Sequence, residues 1–361
     1  MAPELQTIGM VTAALWTDFD NDEHPDLLVT GEAMQIKAFK NTQGSFQDIT
    51  DESGLRDSDG FWNSLVSGDF DNDGDIDYVA GNLGVNGPMK ASAKKPVVIN
   101  YADFDNNGSV EPLIGYYEGE VNYPIPALDI LASQLPALKK KILQHKEYAT
   151  YSMNDLVGIT GTSNYKTVYC KMLESSFIRN NGGGKFEITP LPQQAQLAPV
   201  FGLLAEDING DGNLDLLGVG NSYSQEIVYG RFDALQGVTF LGDGKGNFRF
   251  VGSKTSGFFV DGDAKGIARI ETVKGSQIIV TQNNDSLKSF IMKHPGLIET
   301  EQSEMYATVY LKGPRLRKVE LNYGATYLSQ SSRTFLINDA VDSIRIFDNK
   351  GKLSRTIGQS Q

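Results

Sequence analysis

The stretch Gly68-Asp69-Phe70-Asp71-Asn72-Asp73-Gly74-Asp75-Ile76-Asp77-Tyr78-Val79-Ala80-Gly81-Asn82 sets an acid at every second position from Asp69 to Asp77 and then turns apolar. The nine-residue spacing recurs as Asp18-Phe19-Asp20-Asn21-Asp22-Glu23-His24-Pro25-Asp26, as Asp103-Phe104-Asp105-Asn106-Asn107-Gly108-Ser109-Val110-Glu111 and as Asp207-Ile208-Asn209-Gly210-Asp211-Gly212-Asn213-Leu214-Asp215. In chain order these are loops one (Asp18), two (Asp69), three (Asp103) and four (Asp207). Side-chain oxygens fall at positions 1, 3, 5 and 9 of each, and position 2 is always Phe or Ile. A chain curling around a cation points alternate side chains inward. Ca2+ takes six to eight oxygen ligands at about 2.3–2.6 Å from carboxylates, amides and backbone carbonyls. The expected ligands are Asp18, Asp20, Asp22, His24 and Asp26; Asp69, Asp71, Asp73, Asp75 and Asp77; Asp103, Asp105, Asn107, Ser109 and Glu111; and Asp207, Asn209, Asp211, Asn213 and Asp215. Position 7 (His24, Asp75, Ser109, Asn213) serves through its carbonyl. Position 6 needs a sharp bend and is Gly except at Glu23, which makes loop one the least regular.

These are not EF-hand loops, which need a Glu at position 12 and flanking helices. Position 12 is Val29, Ala80, Ile114 and Gly218. The flanks read as strands: Ala13-Ala14-Leu15-Trp16 and Leu27-Leu28-Val29 around loop one, Tyr78-Val79-Ala80 after loop two, Leu216-Leu217-Gly218-Val219 after loop four. The alternative is a set of Asp/Asn/Gly turns without metal, which one copy would leave open and four copies disfavour. The loops hold 16 of the 45 acids, a crowding that repels itself without cations; four Ca2+ would move the formal charge from −13 to −5.

The loops belong to a longer unit. Phe39 to Phe46, Phe177 to Phe186 and Phe240 to Phe248 each read as strand, Asn/Asp-Gly turn, strand. The third hairpin contains Gly242-Asp243-Gly244-Lys245-Gly246, which lacks the Lys-Ser/Thr ending and following helix of a phosphate loop. Four antiparallel strands repeated about every 45–60 residues is the pattern of an all-β β-propeller blade. About five blades are recognisable, the last near Ala264 to Phe290, with rings of five, six or seven left open. Asp261-Gly262-Asp263 reads as a decayed loop without metal. Leu128, Leu131, Leu135, Leu138 and Ile142 fall at helical spacing with Pro136 in a first turn, so a helical insertion over about 124–148 is expected to cap one side of the ring, its Lys139-Lys140-Lys141 edge facing solvent.

The repeats resemble the FG-GAP, or VCBS, family, and Asn322-Tyr323-Gly324-Ala325-Thr326-Tyr327-Leu328-Ser329-Gln330-Ser331-Ser332-Arg333 resembles the ASPIC/UnbV C-terminal module, with a strand pair expected from Ser343 to Phe347 and around Lys350-Gly351-Lys352. The resemblance implies a propeller over 1–300 and a C-terminal β module over 301–361. It implies structural Ca2+ in the Asp-rich loops and a place outside the cell or on the outer-membrane surface, as part of a longer chain. Met1-Ala2-Pro3-Glu4 has neither the basic start nor the apolar stretch of a signal peptide.

Composition narrows the function. A net charge of −13 repels nucleic acid, and no apolar run reaches the roughly 18 residues of a membrane span. One Cys (Cys170) and three His (His24, His145, His294) exclude a Cys/His zinc site and any disulfide within the chain. The expectation is a non-enzymatic calcium-binding module for a protein or carbohydrate. Tyr116, Tyr117, Tyr123, Tyr223 and Tyr229 are candidates for stacking on sugar or for packing between blades; Trp16 and Trp62 are expected between blades. The alternatives are a carbohydrate-active lyase or glycosidase, for which only Glu118 and Glu120 offer an acid pair, and a purely structural part of a surface assembly. No Gly-x-Ser-x-Gly or His-Glu-x-x-His motif occurs.

Overall fold

The computed structural model describes residues 3–224, 230–273, 275–293, 296–324 and 329–358. Its sheets are antiparallel throughout. Sheet I runs Met10–Thr17, Asp26–Met34, Lys37–Thr42, Ser45–Asp48 in spatial order, with Gly60–Phe61 pairing onto the end of Asp26–Met34. Sheet II is Ser64–Gly68, Asp77–Gly81, Ser176–Asn180, Phe186–Pro190, and sheet IV is Val200–Glu206, Asp215–Gly220, Val238–Gly242, Phe248–Val251. Sheet V has three strands, Ala264–Thr272, Gly275–Gln282 and Lys288–Ile291. The three expected hairpins form the third and fourth strands of sheets I, II and IV.

The first strands of sheets I, II, IV and V are neighbours in that order, and an apolar layer fills each gap. Leu15, Phe19, Leu28, Trp62, Tyr78 and Ile178 pack between I and II; Val66, Phe70, Val79, Phe177, Leu216 and Phe240 between II and IV; Leu204, Leu217, Ile267 and Val280 between IV and V. Asp77–Gly81 and Asp215–Gly220 are buried along their whole length, because a second strand in this row is covered on both faces. Trp62 is fully buried, its Nε1 donating to the Ser58 carbonyl at 2.8 Å. Trp16 is not between sheets as expected: it is 52% exposed and lies against Phe46. Successive strand side chains face opposite ways, and Leu15 takes the inner face, so Trp16 takes the outer one.

The succession of sheets along the chain is interrupted at loop three. Residues 82–175 are an insertion between the second and third strands of sheet II. They build sheet III, in the order Val121–Pro124, Glu111–Glu118, Val97–Ala102, Lys166–Cys170. Its helices are Leu128–Gln134, Pro136–Lys141, His145–Tyr148 and Met153–Thr160, the last with a Ser152/Asp155 capping box. Leu128, Leu131, Leu135, Leu138 and Ile142 are all buried, but against Phe104 and Leu113 of the insertion itself, so the helices cover sheet III instead of capping the row.

The C-terminal unit is sheet VI, in the order Leu316–Glu320, Glu304–Leu311, Val341–Asp348, Leu353–Gly358, plus the pair Gly296–Glu299 and Thr334–Ile337. Tyr229, His294 and Ala325-Thr326-Tyr327-Leu328 lie outside the described residues. Among the described residues no helix is long and apolar enough to cross a membrane.

Candidate metal centres

The four loops are built alike. Each joins the first and second strands of its sheet segment, and position 9 is the first paired residue of the returning strand: Thr17↔Asp26, Gly68↔Asp77, Ala102↔Glu111, Glu206↔Asp215. The position-9 carboxylate accepts the position-2 N–H, at 3.3 Å from Phe19, 3.2 Å from Phe70, 3.0 Å from Phe104 and 2.9 Å from Ile208. In sheets I, II and IV its other oxygen accepts from the third strand, from Asn41, Asn180 and Gly242. The position-1 carboxylate accepts the N–H groups of positions 5 and 6 in every copy. Position 5 accepts from position 7 in every copy. Positions 4 and 6 have positive φ: Asn21 60°, Asn72 59°, Asn106 60°, Gly210 77°, then Glu23 67°, Gly74 96°, Gly108 90°, Gly212 91°. Loop one therefore keeps the common shape with Glu23 held in a left-handed conformation. The Asn/Gly choice at position 4 is the sequence signal of that positive φ.

Positions 1, 5 and 9 are satisfied by the chain's own N–H groups, as in a metal-free turn. Position 3 is not. Asp20 and Asp71 have side chains only 5% and 7% exposed, and Asp20 Oδ1 and Asp71 Oδ1 are buried without a hydrogen-bond partner. A buried acceptor left unpaired costs about 1–3 kcal/mol. Carboxylate oxygens converge within 4.8 Å in three loops: Asp18, Asp20 and Asp22; Asp69, Asp71 and Asp77; Asp103, Asp105 and Glu111. Loop four has Asn209 at position 3, so its positions 1, 3 and 9 carry two carboxylates instead of three. Burial, reinforced by neighbouring carboxylates, pushes Asp69 up to about 7, Asp71 to about 6 and Asp77 to about 8; Asp26 and Asp215 rise to about 7 and about 6 for the same reasons. A cation among these oxygens would remove both the orphaned acceptors and the repulsion. The donors are all oxygen, the chemistry of a hard ion such as Ca2+.

Loops one, two and four form one contiguous row. Asn21 donates to Asp75, joining loops one and two, and Asn72 Nδ2 donates to Asn213 Oδ1 at 3.0 Å, joining two and four. Lys40 pairs with Asp20 and Asp22, and Arg179 with Asp71. The strand Leu316–Glu320 lies over the row, and its contribution has no signal in local sequence. Loop three stands apart in the insertion. Asp261 and Asp263 are taken by Lys288 and Lys265. Tyr116, Tyr117, Tyr123 and Tyr223 are half-buried, the Tyr223 hydroxyl donating to the Asp261 carbonyl at 3.0 Å. The more exposed aromatics among the described residues are Trp16, Tyr165, Tyr169, Phe250, Phe259 and Tyr323, none of them among the tyrosines expected to stack on sugar. Glu120 sits on an exposed turn beside Lys95.

Residues 18–80, which carry loops one and two, match the FG-GAP-like repeat family. No curated protein matches the chain significantly.

Proposed function

We propose that the chain is a calcium-stabilised β-propeller module of an exported or cell-surface protein, binding a protein or carbohydrate ligand without catalysing a reaction. In this reading sheets I, II, IV and V are blades and the C-terminal unit is an ASPIC/UnbV-like module. The ions are structural and pin the turns between first and second strands. The observation that carries the reading is the pair of buried, partnerless oxygens at position 3, Asp20 Oδ1 and Asp71 Oδ1, each inside a cluster of three carboxylates. The repeat match supports the propeller and the surface location, since such repeats are typical of extracellular or surface proteins. Calorimetric titration of the chelator-stripped chain with Ca2+ tests the metal: saturable binding with a raised melting temperature is expected, and no heat with an unchanged melt refutes it. A glycan array probed with the calcium-loaded chain tests the carbohydrate arm.

A further inference from the structure

The C-terminal unit touches the first aspartate of each loop in the row. The Lys318 N–H donates to Asp69 Oδ2 at 2.8 Å. Asn338 Nδ2 donates to Asp207 Oδ2 at 2.7 Å. The Asp18 N–H donates to Glu320 Oε1 at 2.7 Å, and Lys318 Nζ lies 3.2 Å from Asp18 Oδ2. These partners are 131 to 302 residues apart in the chain. Asp103 of loop three accepts instead from Asn107 and Gly108 of its own loop. Arg317 Nη1 also donates to the Gly212 carbonyl at 2.9 Å, so the strand meets loop four at its bend. Lys318, Arg317 and Asn338 are 8%, 6% and 9% exposed. Buried charged and amide groups keep such positions only when their partners are in place.

We infer that the C-terminal unit positions metal ligands: by holding the position-1 carboxylates of loops two and four from outside, Lys318 and Asn338 orient them for the ion, and calcium loading is linked to docking of this unit. The inference rests on the calcium reading above. A carboxylate with one oxygen pinned by an outer donor presents the other in a fixed direction, and losing such a partner typically costs 10–100-fold in metal affinity. Linkage makes the effect reciprocal, so bound calcium tightens the docked strand by the same factor. The charges permit this. Loop two carries five acids, so one Ca2+ leaves it at −3 and still attractive to Arg317 and Lys318.

The test uses the full chain, stripped with chelator and then titrated with Ca2+, read by hydrogen exchange and calorimetry. Calcium is expected to slow exchange in peptides spanning 316–320 by about tenfold or more, while Lys288–Ile291, the outer strand of sheet V with no loop of its own, changes far less. Asn338→Ala is expected to weaken one calcium-binding step by about tenfold. Because Asn338 also accepts the Ala340 N–H at 2.9 Å, the variant should melt lower in both buffers, and the calcium-induced rise in its melting temperature should be smaller than that of wild type; a merely structural Asn338 would lower both melts equally and leave the rise unchanged. If calcium binds yet exchange at 316–320 is the same in both states and Asn338→Ala binds as wild type does, the linkage is wrong and the calcium reading survives. If the wild-type chain binds no calcium, both fall. The exchange measurement needs no variant, so a misfolded Asn338→Ala leaves the test standing.

Discussion

Replacing Asp71 by Asn should stabilise the chain without calcium and destabilise it, relative to wild type, with calcium. Asp71 Oδ2 pairs with Arg179, while Oδ1 is buried with no donor, and burial followed by the Asp73 charge raises the carboxyl to about 6. A carboxyl raised in the folded state stabilises the fold when protonated, and that contribution is lost as pH rises through the folded value. At pH 7 without metal, the ionised group therefore works against folding. Two units above the usual 3.8, at about 1.4 kcal/mol each, give an upper limit near 3 kcal/mol, and residual solvation leaves about 1–2 kcal/mol for Asn to recover. With Ca2+ at a hundredfold excess over the dissociation constant, an intact site gains about 2.7 kcal/mol, which the variant forfeits at loop two. The variant should melt a few degrees above wild type in chelator and below it in calcium, at roughly 2 °C per kcal/mol for a chain of this size. Thermal melts followed by circular dichroism in the two buffers decide it. A variant less stable in chelator, or one with an undiminished calcium shift, would refute the argument.

Glu23→Gly should stabilise loop one by about 1 kcal/mol, because Glu23 is held at φ 67°, where a Cβ is unfavourable; a lowered denaturation midpoint would contradict this. Phe70→Ala should cost about 3–5 kcal/mol, since the ring is 1% exposed and packs edge-on against Phe177 and Phe248 between sheets II and IV; urea unfolding measures it. Cys170 is fully buried, and burial, with the nearby Asp59 charge, pushes its thiol up to about 12; the native chain should resist thiol labelling and take up one equivalent when unfolded. Val97 and Cys170 are register partners, so replacing Val98 to Tyr169 with a two-residue Gly turn should leave the row of sheets cooperative and remove only the loop-three calcium step; loss of the loop-two response would show that the insertion is integral to the row.

The shape of each loop was legible because its hydrogen bonds are local. Position 1 reaches positions 5 and 6, position 9 reaches position 2, and the turn residues advertise positive φ, so nine consecutive residues carry the whole geometry. The hairpins from Phe39, Phe177 and Phe240 were legible for the same reason. The third-strand partners of position 9 were less so, because Asn180 reaches Asp77 across the whole insertion. Trp16 was misplaced because composition shows that a residue is apolar, whereas strand phase decides which face it takes.

Sequence by itself determined the nine-residue oxygen-rich loops, their flanking strands and the helical character of the insertion, all set by contacts a few residues apart. Only the tertiary structure decided that loop three sits in a separate insertion, that Asp20 and Asp71 each keep an unpaired buried oxygen, and that Lys318 and Asn338 close over loops two and four. The last of these arises from contacts between segments more than a hundred residues apart, and in all of them no periodicity links one partner to the other and packing alone brings them together.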